Sequence, residues 1–338
     1  MTVNVNYRTS TDDSRIKAAN GGLLRPLSVV VGRKETWSPA RVTRASWSVL
    51  TNMGAAFHIL QLFRVKVFKD FLHTNPRFLF KCLIRDYLAQ GLTVAESMAC
   101  FLHHYRSLHA HLPSRLLYRT FSSTITLHEG KQNDTPYSIT FCFSRDFEKE
   151  GELSLNLLVD RAPVFVLSFT IVPGWVVRSQ AVDVLLISRL QGVHGYFNQI
   201  RRVTRALHDV GPAALLLAAL HGFAATLGIG EFAAVSATRQ SSYTEELSGL
   251  YIGAYDDFFS GLGLVINDAG FFLSPIPHQD KPLSSIKQGH KLRTREKRAF
   301  KRQIAQAVCH VLQQEIAADA AEPLLKRLPN QIPPAFES

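Results

Sequence analysis

The stretch from Val182 to His208, VDVLLISRLQGVHGYFNQIRRVTRALH, decides how this chain is read. An apolar run, Val182 to Ile187, has the β-branched and aliphatic content of a buried strand. It feeds into Arg189-Leu190-Gln191-Gly192-Val193-His194-Gly195, and a helix is expected at once from Tyr196 to His208. A glycine-containing turn at a helix start leaves backbone N–H groups free at the positive end of the helix dipole, which is a ready anion site. Arg201 and Arg202, on the first turns, add charge-assisted contacts to a phosphate.

Working outward, the flanks set the fold class. Upstream, FSSTITL (121–127), YSITFCF (137–143), GELSLNL (151–157) and Val164 to Val172 read as strands. A hairpin loop is expected at Gly130 to Asp134. With 182–187 they make a run of about five, antiparallel. Downstream, the helix 196–208 is followed by another over Pro212 to Leu227 and a strand at Phe232 to Ser236. A helix near Glu245 to Leu262, a short strand pair around Phe271 to Leu273 and a basic helix ending in the mid-310s follow. From Trp47 to about His111, apolar residues recur at helical spacing, with Pro76 and Gly91 as punctuation, so three or four helices are expected there. The fold class is therefore α+β, a helical N-terminal segment packed on a mixed central sheet with flanking helices. The divisions are a flexible basic tail at 1–45, the helical segment at 46–113, an α/β domain at 114–318 and a loose tail at 319–338.

Composition bounds the partners. The chain has 338 residues, 46% hydrophobic, with 38 Lys and Arg against 27 Asp and Glu, a net +11. That is ample for a core, and the charge selects anionic partners: a phosphorylated ligand, a membrane surface or nucleic acid. The run 287–302, KQGHKLRTREKRAFKR, concentrates eight basic residues and one Glu. Phe300 is its single aromatic, where a nucleic-acid module interleaves several for stacking, so nucleic acid is disfavoured. Oligomeric state is left open. The four cysteines, at 82, 100, 142 and 309, form no C-x-x-C pair, which reads as buried or free thiols in a reducing compartment. His103, His104, His109 and His111 cluster without a nearby carboxylate, which reads as a helix interface, and no metal is expected. The N-terminal residues carry no basic and apolar signal segment. The apolar run from Pro212 to Gly230 approaches membrane-spanning length, but His221 and its glycines favour a buried helix and turn. The expected location is cytoplasmic, with peripheral attachment at the inner membrane left open.

Two resemblances add to this. The turn at 189–195 resembles the acyl-CoA pyrophosphate loop of the GNAT acetyltransferase superfamily, with His194 where that loop ends on a small residue and Gly195 one position later. Asp257 to Leu264, DFFSGLGL, resembles the superfamily's F-Y-x-x-L-G-F segment, with Phe259 in place of the tyrosine that often acts as general acid. A phenyl ring donates no proton, which leaves Tyr255 or His194 as catalytic candidates. The resemblance implies a GNAT-like sheet and an acyl-CoA or acyl carrier held by Arg189, Gln191, Gly192, Gly195, Arg201 and Arg202, and it leaves open whether the protein is an enzyme.

A narrower match spans roughly residues 50–316. LHHYRSL (102–108), GELSLNL (151–157), RLQG (189–192), PAALLLAALHGFAATLGI (212–229), YDDFFSGLG (255–263) and DAGFFLSP (268–275) are similar, in order, to the VirK/YbjX family of bacterial proteins. That resemblance implies a link to virulence, envelope or outer-membrane remodelling and resistance to cationic antimicrobial peptides. The alternative is a non-catalytic regulator or adaptor that binds an anionic membrane or a partner protein through the basic helix at 287–302.

Overall fold

The computed structural model describes residues 51–325, apart from 52, 63 and 145–148. The basic tail expected at 1–45 and the end of the chain from 326 lie outside the described residues. Among the described residues four helices precede the sheet: α1 (Met53–Leu62), α2 (Lys66–Thr74), α3 (Val94–His111) and α4 (Ser114–Ser122), with a 3-10 turn at Pro76–Leu83. Helix α3 starts on a capping box: the Thr93 hydroxyl accepts from the Glu96 N–H, and the Glu96 carboxylate accepts from the Thr93 N–H.

Seven strands of the described residues then form one sheet in sequence order: β1 (Ile125–Gln132), β2 (Thr135–Phe143), β3 (Leu153–Val159), β4 (Ala162–Pro173), β5 (Asp183–Gly192), β6 (Glu231–Val235) and β7 (Phe271–Pro275). β1 to β5 are an antiparallel meander, β6 joins β5 in parallel, and β7 returns antiparallel to β6. The sheet is therefore mixed, and the α+β expectation stands.

Two hairpins are tighter than expected. Asn133 and Asp134 have φ of 45° and 59°, and Asp160 and Arg161 have 51° and 65°. Both are two-residue loops of left-handed residues, whose twist matches that of the strands they join. Gly130 to Gln132, expected in a loop, belong to β1. A Cβ on Gly130 would stand 2.7 Å from the Tyr137 hydroxyl, so the glycine admits the cross-strand ring.

Phe121 to Ser123, expected to open a strand, end helix α4 instead. Phe121 stacks on Phe71, ring centroids 4.5 Å apart, and meets Phe143 edge-on. Aromatic burial outweighs the local strand preference.

The parallel crossover between β5 and β6 carries α5 (Phe197–Ala206) and α6 (Pro212–Leu227). Helix α6 begins on Pro212 and stops on Gly228 at φ +69°. It is buried against one face of the sheet, with Phe223 on Phe141 and Phe169. Outside it runs α9 (Lys291–Leu325), the basic helix, continuing beyond the mid-310s and burying Ile304, Val308 and Leu312. Gly222 makes this crossing close: a Cβ there would stand 2.2 Å from the Ala305 carbonyl oxygen. The N-terminal helices cover the other sheet face. Between β6 and β7 the chain is helical but irregular, with α7 (Ser248–Tyr251), a π-helical turn (Ile252–Asp256) and α8 (Asp257–Gly261). One strand, β7, stands where a pair was expected, and Ile266 makes an isolated bridge to Phe272.

Candidate functional site

Strand β5 runs further than its sequence suggested because its partner β4 is twelve residues long and pairs with it as far as Gly192. Arg189 to Gly192 therefore lie in the sheet and only Val193 to Tyr196 form the turn. Ser168 faces Arg189 and Phe169 faces Ile187, so Ser188 is an extra residue, a β-bulge. Its hydroxyl is buried and takes no hydrogen bond among the described residues.

Side chains alternate beyond the bulge. Gly192 lies under Ile200 of α5, with 3.0 Å from a would-be Cβ to the isoleucine. Arg189 and Gln191 point to the opposite face, where Arg189 lines a cavity over β2 to β5. The six residues expected to hold one cofactor are thus divided between two faces. Gly195 has φ +87°, a conformation that suits glycine, and His194 beside it is exposed. The Val193 N–H donates to Val164 O and the Tyr196 N–H to Val193 O, so two amides of the turn are already used.

Helix α5 does bring a cationic group together. Arg201, Arg202 and Arg205 line a cavity of about 430 Å³ with Asn133, Thr135 and Asn198. Arg202 is hydrogen-bonded to Asp160 at the β3–β4 turn, and Arg201 lies over the Phe197 ring. Arg205 was missed by the sequence reading, although it falls one helical turn after Arg201.

β5 and β6 pair only over Leu185–Ile187 and Phe232–Ala234. Beyond that they part, and Tyr255, from the π-helical turn, enters near the end of β5. Its hydroxyl accepts from the Leu190 N–H and from the Gln191 side chain, both at 3.2 Å. Tyr255 is fully buried. Burial, helped by the Glu150 carboxylate, pushes its pKa far above the ordinary tyrosine value. Glu150 is held by Gln240 and Ser242 and lies 3.5 Å from Arg189. The two catalytic candidates differ accordingly, Tyr255 sealed in and His194 open to solvent.

A second polar group escaped the sequence reading. Lys81 and Glu152 are both fully buried, 3.2 Å apart. Tyr87 donates to Glu152 Oε1 at 2.6 Å, and Tyr105 donates to Oε2. Lys81 Nζ also donates to the Gly151 carbonyl at 3.1 Å and stands 5.3 Å from the Phe143 ring centre. The one signal was a lone lysine inside FLFKCLI, residues 78–84.

The four histidines around α3 have separate roles. His103 meets Asp183 at 2.6 Å, and buried His104 accepts the Ile171 N–H at 3.0 Å. His109 packs on Phe68, and His111 meets Ser107 O. Among the described residues no group of three or more His, Cys, Asp or Glu could hold a metal ion, and no helix is long and apolar enough to cross a membrane. Cys82 and Cys100 are buried, Cys142 and Cys309 half-buried, and all four are free thiols. The basic run is partly spent on its own chain: Arg293 bonds Asp209, while Arg298 and Lys301 lie 3.3 Å from Asp280. Arg295 and Arg302 stay exposed.

The model of a family described as "protein of unknown function (DUF535)" matches residues 40–310, and the chain belongs to that family, which is the VirK/YbjX family. No curated protein and no solved structure is significantly similar to it.

Proposed function

We propose that this member of the DUF535 family is an acyl-handling protein of GNAT-like layout that serves envelope modification, taking its acyl group from a CoA- or carrier-bound donor. The observation that carries the reading is the parting of β5 from β6 beside a bulge, with α5 starting just past the strand. Ligands of open α/β sheets favour the carboxyl ends of parallel strands where the connections diverge. The arginines of α5 supply a polyanion site at the same end of the sheet, beside the β1–β2 and β3–β4 turns.

On this reading the donor's phosphates lie on Arg201, Arg202 and Arg205, and its thioester reaches toward Tyr255. An acceptor amine or hydroxyl attacks the thioester carbonyl and gives its proton to His194. The C–S bond breaks, and the departing thiolate takes a proton from Tyr255. Tyr255 is buried, so entry of the donor requires movement of the irregular segment 248–261, where a π-helical turn interrupts the helix. Such turns recur at functional sites.

Thermal-shift titration with acetyl-CoA and a long-chain acyl-CoA tests the reading. It expects a raised Tm that disappears in Arg201→Ala/Arg202→Ala. An unchanged Tm at millimolar ligand overturns it. A second reading, an adaptor on an anionic surface, rests on exposed Arg295, Arg302 and Leu292 at the start and middle of α9. It predicts salt-sensitive binding to phosphatidylglycerol vesicles that Arg295→Gln/Arg302→Gln abolishes.

A further inference from the structure

The face of the sheet opposite α6 holds a cavity of about 670 Å³ over β2 to β5. That is within the ~300–1,000 Å³ of small-molecule sites. Its floor is mixed and sheltered, with Leu158, Pro163 and Val166 beside polar Thr140, Ser154 and Asn156. Thr140 and Ser154 are buried there, and Asn156 donates from its side chain to Cys142 Sγ at 3.4 Å. The Ser154 hydroxyl lies 2.7 Å from that of Ser144 and 2.8 Å from that of Ser168, a row of three across adjacent strands.

One wall is aromatic, made by Phe71, Phe121 and Phe143, and Arg189 lines the cavity from β5. Spanning β2 to β5 takes three interstrand spacings, about 14 Å. This face of the sheet thus carries hydroxyl and amide groups next to an aliphatic strip, Leu158, Pro163 and Val166, with phenyl rings beside them.

These features limit the ligand. A hydrocarbon chain would set Thr140, Ser154 and Asn156 against methylene groups and cost the desolvation of each. A strongly anionic ligand would need an unbalanced cation, but Glu150 lies 3.5 Å from the Arg189 guanidinium, and both side chains are mostly buried. What remains is a neutral molecule with many hydroxyls and one apolar face. We propose that this cavity is a binding site for a hexose-class saccharide. Its ring hydroxyls meet Thr140, Ser154, Asn156 and Arg189, and its C–H face lies on the phenyl rings. The site is on the other side of the sheet from the α5 arginines and does not depend on acyl-donor binding.

Saturation-transfer NMR on the full chain, with glucose, galactose, mannose and N-acetylglucosamine as probes and laurate as the apolar comparison, tests this. The expected result is transfer to the ring protons of at least one hexose, with none to laurate. Ser123→Trp, at the exposed rim and away from the core, abolishes the transfer by blocking the mouth. Asn156→Leu weakens it at least tenfold while the far-UV circular dichroism stays that of the parent. Transfer to laurate alone, transfer to none of the four hexoses, or hexose transfer undiminished in Ser123→Trp overturns the proposal.

Discussion

Lys81 Nζ lies 3.2 Å from Glu152 Oε1 with both side chains shut off from solvent, and Tyr87 and Tyr105 each donate to the same carboxylate. Two helical segments, the 3-10 turn and α3, and the loop 86–91 are thereby joined to the edge of β3 through one carboxyl group. Removing either charge leaves the other buried and unpaired. Lys81→Met or Glu152→Leu is expected to cost about 3–5 kcal/mol. The double variant is expected to lose much less than the sum. Urea denaturation of the parent, both singles and the double measures this, and additive losses would refute the coupling.

His221 sets a pH limit. Burial chiefly, with His278 and Lys301 adding to it, holds its pKa down at about 4 in the folded chain. Burial likewise holds His104 well below the ordinary histidine value. In the unfolded chain both titrate near pH 6.5. Between those values the unfolded state binds more protons, so stability is full above about pH 6.5 and falls as the pH drops toward 4. For His221 the loss is roughly 3 kcal/mol at most. Melting temperature as a function of pH should show the decline, and His221→Gln should flatten it.

Tyr255→Phe keeps the ring and removes the oxygen that accepts from Leu190 N–H and the Gln191 side chain. A buried amide left without a partner costs roughly 1–3 kcal/mol. Hydrogen exchange at Leu190 should accelerate in this variant while the amides of β2 and β3 keep their protection. Unchanged exchange at Leu190 would mean that the hydrogen bond contributes nothing there.

Gly222→Ala sets intrinsic preference against packing. Alanine favours a helix interior by about 1 kcal/mol over glycine. Here the new methyl would lie 2.2 Å from the Ala305 carbonyl oxygen and 2.9 Å from Val308 Cβ. Packing should win: Tm falls, and α9 separates from α6. A rise in Tm would show that the two helices can move apart freely.

The sequence revealed much of this architecture where local chemistry and tertiary packing agreed. Helix α6 is bounded by Pro212 and Gly228, each favoured at its own end. The strand-turn-helix at the centre was also legible, and so was the cationic pair on α5. Three things were hidden. The apolar run of β5 ends at Ile187, and polar Ser188 and Arg189 conceal the continuation of the strand to Gly192 along β4. Phe121 reads as strand by type but is helical because its ring joins Phe71 and Phe143. The Lys81–Glu152 group joins residues 71 positions apart, beyond the reach of any local pattern.

The bulge at Ser188 has an editing consequence. β4 carries no matching residue, so deleting Ser188 would leave Arg189 to Gly192 opposite their present partners and facing as they do now. Only the extra bend and twist would go. The divergence of β5 from β6 is therefore separable from the chemistry of the side chains around it. A one-residue deletion would let the strands draw together against Tyr255, while the saccharide cavity and the arginines of α5 keep their complement of groups. Shape and composition at this junction are two independent inheritances of the chain.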